Sequence, residues 1–107
     1  MNGYQITFFT QQGRMHHEVP LAQWLLAEAR QMGLRGATLS GALQGLGHDG
    51  QFHALTMFDE SDQPIQVTMV VNEEERHRWL ERLELENMEL FFTSVPVEFG
   101  VIGQSPQ

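Results

Sequence analysis

The residues best suited to chemistry fall in two groups. Gly45, Gly47 and Gly50 stand in the hexapeptide GLGHDG. Such glycines either make a turn that needs positive φ, or form a loop whose N–H groups converge on an anion. Arg14 or Arg35 would then supply the fixed positive charge. The second group is the five histidines, His16, His17, His48, His53 and His77. Neutral imidazole is a common nitrogen ligand for zinc, copper or nickel. Their spacing is not that of a metal motif, because no helical pair lies four residues apart. The adjacent His16 and His17 are expected to point apart on an extended chain. A divalent-metal site within the chain therefore requires His48 or His53 to meet them, with Asp49 as a further donor. That leaves His16, His17, His48 and His53 as the metal set, with His77 in a solvated helix turn. Taken singly, each histidine reads more simply as a surface or hydrogen-bonded residue.

Catalysis finds little support. The chain has no cysteine, no GxSxG and no HExxH, and Ser40, Ser61, Ser94 and Ser105 are not placed beside an evident histidine and acid. Glu73 and Glu74 suit the start of a helix better than a general-acid pair. The chain reads as a binding protein and not an enzyme. It carries a formal net charge of −8, and with no lysine its only fixed cations are arginines. No basic face is available for a nucleic-acid polymer, whereas a small anion needs only one or two arginines and backbone amides. The absence of cysteine, of a basic leader and of any long apolar run points to a cytoplasmic protein.

These residues need elements to position them. In YQITFF, Tyr4, Ile6 and Phe8 alternate with polar residues, the period of a half-buried strand. PLAQWLLAEARQMG places Leu21, Trp24, Leu25, Ala29 and Met32 at helical spacing, with Pro20 early and Gly33 as a stop. A strand is expected over Ala37 to Gln44, a further extended run over Phe52 to Phe58, and another strand through Ile65, Val67, Met69 and Val71. NEEERHRWLERLELEN then opens a helix capped by Asn72 with Glu75 three residues on. Trp79, Leu80 and Leu83 form its apolar face, and Glu74–Arg78 and Glu75–Arg82 are expected to pair along it. Trp24 and Trp79 are expected in the core. LFFTSVPVEFGV reads as a strand that Pro96 places at an edge or bulge. The fold class is α+β: a ferredoxin-like βαββαβ sandwich, with an antiparallel sheet and two helices on one face. Residues 1–103 form the one domain and 104–107 a flexible tail. If the sheet's other face is apolar, something must cover it, and the excursion 45–64 is longer than a hairpin requires.

The stretch AEARQMGLRGATLSGALQGLGHDGQFH, followed by PIQVTMVVNEEERHRWL, resembles the PII-like superfamily and, within it, domain-of-unknown-function family 190. The motifs that carry the resemblance are MGLRGAT, GLG, the pair Phe52–His53 and the alternating strand after DQP. The resemblance implies a homotrimer with sheets facing inward and adenine-nucleotide clefts between protomers. It also implies a loop at 45–64 that responds to ligand and touches a partner such as a membrane transporter or an enzyme. The ligand-binding candidates are Gly45, Gly47, Gly50, Arg14, Arg35 and Thr38. Where PII relatives carry a second glycine- and lysine-rich phosphate loop, this chain reads LELENMELFF, so AMP, ADP or another ligand with few phosphates is expected. The excursion also lacks the tyrosine that is uridylylated in signalling relatives. The alternatives are a metal-homeostasis protein using the four histidines, and an adaptor with no ligand.

Overall fold

The computed structural model describes residues 1–34, 36–41 and 63–103. The run Phe52 to Phe58, most of the excursion 45–64 and the tail 104–107 lie outside the described residues. The elements are β1 (Asn2–Gln11), a short hairpin of β2 (Met15–His16) and β3 (Val19–Pro20), α1 (Leu21–Gln31), β4 (Thr38–Gly41), β5 (Pro64–Val71), α2 (Glu73–Glu84) and β6 (Phe91–Glu98). The main sheet has the order β4-β5-β1-β6, and all its pairings are antiparallel. This is the ferredoxin-like α+β fold expected from the strand and helix order.

Alternation decides which side of the sheet is covered. Ile6, Phe8 and Thr10 of β1 and Val67, Met69 and Val71 of β5 are buried. The register puts Ile6 opposite Met69 and Phe8 opposite Val67, so all share one face. Leu21, Ala22, Leu25 and Ala29 of α1 and Trp79 and Leu83 of α2 join them in a single core, so both helices cover that face. The Phe8 and Trp79 rings meet edge to face, with centroids 6.2 Å apart. β6 is the edge strand opposite β4, which accommodates Pro96 without the loss of an interior ladder bond. The other face alternates Gln5, Thr7 and Phe9 with Gln66, Thr68 and Val70, and with Phe91, Thr93 and Val95. It is therefore mixed, with threonines at its centre (Thr7 Oγ1 to Thr68 Oγ1, 3.3 Å) and an aromatic pair, Phe9 and Phe91, toward one end.

Both helices end as the residues dictate. The Asn72 side chain accepts from the Glu75 N–H at 2.7 Å and the Glu75 carboxylate accepts from the Asn72 N–H at 2.9 Å, the expected capping box. At the end of α1, the Gly33 N–H reaches the Arg30 carbonyl and the Leu34 N–H the Ala29 carbonyl. Gly33 has φ +80°, which completes a Schellman motif with Leu34 and Ala29 both buried.

Two expectations are corrected. Trp79 is fully buried, whereas Trp24 is only half-buried and lies against side chains from the hairpin. The pairs Glu74–Arg78 and Glu75–Arg82 are not formed among the described residues. Glu75 is committed to its cap, and Arg82 turns away toward Glu28 and Glu86. No described helix is long and apolar enough to cross a membrane.

Candidate functional site

The sequence MHHEVP forms the β2–β3 hairpin, with Met15 opposite Pro20 and His16 opposite Val19. Its two central residues, His17 and Glu18, have φ of 52° and 68°. Positive φ at both central positions is the type I′ pattern that matches strand twist. The hairpin also serves α1: the Arg14 carbonyl accepts from the Leu21 N–H at 2.8 Å, satisfying an otherwise orphaned donor of the first turn.

The turn reverses the expectation for the two histidines. Left-handed backbone at His17 swings its ring back beside that of His16, with centroids 4.3 Å apart, so the two do not point apart. Both Nε2 atoms converge on one oxygen, Glu86 Oε1, at 2.7 Å from His16 and 2.9 Å from His17. Glu86 lies in the connection between α2 and β6, and its other oxygen accepts from Arg82 at 2.7 Å, at helical i,i+4 spacing. Arg82 in turn donates from Nε to Glu28 of α1 at 2.9 Å and lies over the Trp24 ring. The Trp24 ring packs edge-on to His16, with centroids 4.6 Å apart. The cluster thus ties together the hairpin, both helices and the last connection.

Its electrostatics follow from these contacts. The hydrogen bond from Arg82, then those from His16 and His17, hold the Glu86 carboxyl down to about 2. Glu86 is accordingly an anion throughout the neutral range. The Arg82 guanidinium is raised, chiefly by Glu86 and, against the opposing effect of burial, by Glu28. His16 and Glu86 are largely buried, whereas the His17 side chain is 65 % exposed, which leaves one side of the cluster open to solvent.

Of the ligand-binding candidates, Gly45, Gly47, Gly50 and Arg35 lie outside the described residues, as do His48 and His53 of the metal set. Arg14 is half-buried and donates to the Glu89 carbonyl, one of its five N–H donors. It lines a cleft of about 290 Å³ with Phe9, Thr10, Gln11 and Pro64. The Thr10 hydroxyl, on the helix-covered face of the sheet, is buried with no hydrogen-bond partner among the described residues. A neighbouring cleft of about 400 Å³ lies between Gln11, Gln12, Gln23, Gly41 at the end of β4 and Ile65 near the start of β5. Thr38 is exposed and paired with Thr68, in the same row as Thr7. That row is four residues, about 13 Å of strand, from the Gln11 row that leads to Arg14. The strands do not bring Thr38 beside Arg14.

Sequence reasoning missed Glu86 and Glu28. The i,i+4 spacing of Arg82 and Glu86 was a readable signal for that pair. The approach of the histidines to Glu86 had none, since it spans 70 positions of sequence.

The DUF190 family model, described as Uncharacterized ACR, matches residues 3–99. No curated protein matches the chain. Among solved structures, a putative PII-like signaling protein from Thermus thermophilus is 20% identical with a TM-score of 0.57, over 90% of this chain and 86% of that one. CPII, a nitrogen regulatory PII-like protein from Thiomonas intermedia K12, bound to ADP, AMP and bicarbonate, is 23% identical with a TM-score of 0.58, over 94% and 91%. The same protein bound to ADP, AMP and acetate is 24% identical with a TM-score of 0.54, over 94% and 90%. At these identities the likeness is one of fold.

Proposed function

The chain belongs to the DUF190 family, within the PII-like superfamily, and from that membership we propose that it is a regulatory protein that binds an adenine nucleotide and responds through the segment 45–64. The observation that carries this reading is the family match over residues 3–99, in a fold shared with a protein solved with ADP, AMP and bicarbonate.

Local chemistry supports it. The two clefts open where the excursion leaves and rejoins the sheet, so a molecule bound there would touch the roots of 45–64. Arg14 offers charge-assisted donors at that end. Gly45, Gly47 and Gly50 are assigned to the phosphates, with Arg35 as a second cation. Residues 85–90, which join α2 to β6, contain neither glycine nor lysine, which favours AMP or ADP over ATP. Homotrimerisation through the second sheet face would cover Phe91 and Val95, which are 68% and 47% exposed in the single chain. A membrane transporter or an enzyme is the partner class assigned to the loop.

The test is a thermal-shift series with AMP, ADP, ATP and bicarbonate. A ligand present at 100 times its Kd stabilises the native state by about 2.7 kcal/mol, roughly 10–20 °C for a domain of this size. AMP or ADP is expected to give such a shift and Arg14→Met to reduce it. No shift with any nucleotide would overturn the reading.

A further inference from the structure

We propose that His16, His17 and Glu86 form a binding site for one divalent transition-metal ion of the zinc class. This site is independent of the nucleotide reading. The three donor atoms, two imidazole Nε2 and one carboxylate oxygen, lie within 4.8 Å of one another. Two nitrogens and one oxygen are the donor set of open zinc centres, with three protein ligands and a fourth position left to water or a second ligand.

The dimensions suit an ion. Tetrahedral zinc with ligand bonds of about 2.0–2.1 Å separates its donors by roughly 3.3 Å. The His16 and His17 nitrogens stand 2.7 and 2.9 Å from Glu86 Oε1, so these two separations must open by about half an ångström, while the two nitrogens, within 4.8 Å of each other, must settle at about 3.3 Å. The exposed His17 ring can turn to allow this, and the solvent-facing side of the cluster supplies the fourth position.

The surroundings are those of an organised ligand set. Glu86 presents one carboxylate oxygen to both imidazole Nε2 atoms. Its second oxygen is held by Arg82, itself anchored on Glu28, which fixes the carboxylate with Oε1 facing the imidazoles. Trp24 limits the rotation of the His16 ring. The hairpin brings adjacent histidines onto one point because two residues other than glycine, His17 and Glu18, take left-handed backbone, a conformation that such residues rarely adopt. Arg82 opposes a cation electrostatically, yet its charge is already shared by Glu28 and Glu86, giving the whole cluster two carboxylates to one guanidinium.

The same atoms also satisfy a metal-free arrangement in which both imidazoles donate to Glu86, and the experiment separates the two. Metal-stripped full-length protein is titrated with Zn²⁺ by calorimetry, with Co²⁺ as a visible-absorption probe. One Zn²⁺ per chain is expected, together with Co²⁺ bands of a low-coordinate nitrogen–oxygen site. Affinity should fall tenfold or more in His16→Gln, His17→Gln and Glu86→Gln, and stay unchanged in His77→Gln, which alters a histidine outside the cluster. His17 is exposed, so His17→Gln remains informative even if Glu86→Gln fails to fold. Absence of stoichiometric Zn²⁺ binding, or binding that survives His16→Gln and His17→Gln together, overturns the site in favour of the hydrogen-bonded cluster.

Discussion

Gly3 is the residue whose replacement the structure penalises most directly. It sits in β1 opposite Val97 of β6, one position from the pairing of Tyr4 with Val71 of β5. A Cβ at this position would lie 2.1 Å from the Val71 carbonyl oxygen and 2.8 Å from a ring carbon of Phe99. The ring can rotate away, but the oxygen belongs to the backbone of a paired strand. Carbon and oxygen in ordinary contact stand about 3.3 Å apart, so β1 and β5 must separate locally by roughly an ångström. Overpacking of this kind costs about 1–3 kcal/mol, and a backbone obstacle puts Gly3→Ala near the upper end. At about 4–8 °C per kcal/mol for a domain of this length, Tm should drop by roughly 10–20 °C. Urea unfolding with m unchanged and a lower midpoint is the matching equilibrium assay. A variant as stable as the parent would refute the close approach of β1 to Val71.

Asn72→Ala removes the acceptor of the capping box and should cost about 1 kcal/mol by urea unfolding, while Asn72→Asp should retain most of the stability. Glu86 gives an acid-sensitive contribution. Its folded value near 2 lies below the ordinary carboxylate range, so its stabilisation is complete above that range and is lost as pH falls from there through about 2. Arg82→Met removes the largest cause of that depression, so the stability gap between parent and variant should narrow between pH 7 and pH 3; a constant gap would contradict the coupling. Sedimentation equilibrium should return a trimer for the parent and a smaller species for Phe91→Asp with Val95→Asp, since both side chains lie on the second sheet face. If that pair of changes leaves the trimer intact, the interface lies elsewhere.

The elements were legible where one local rule decided them. Period-two alternation at Tyr4, Ile6 and Phe8, and again from Ile65 to Val71, identified the two central strands and their buried face. Asn72 with Glu75, and Gly33 after Met32, fixed helix ends because capping needs only neighbouring residues. The hairpin was illegible because His-Glu is not the Asn-Gly or Asp-Gly sequence that ordinarily marks a type I′ turn. Read as extended chain, it separated the histidines that the turn brings together. Glu86 was missed for a tertiary reason: only the packing of the hairpin against the end of α2 places it between those rings. Trp24 was assigned to the core from helical spacing alone. Its position at the margin of α1 instead lets it pack against His16 and the Arg82 guanidinium.

Isothermal titration of ADP into the metal-stripped full-length chain is the most direct test of the regulatory reading. One ADP per chain is expected, with affinity weakened roughly tenfold or more in Arg14→Met through loss of a charge-assisted contact. The absence of binding heat for ADP and AMP alike would contradict it.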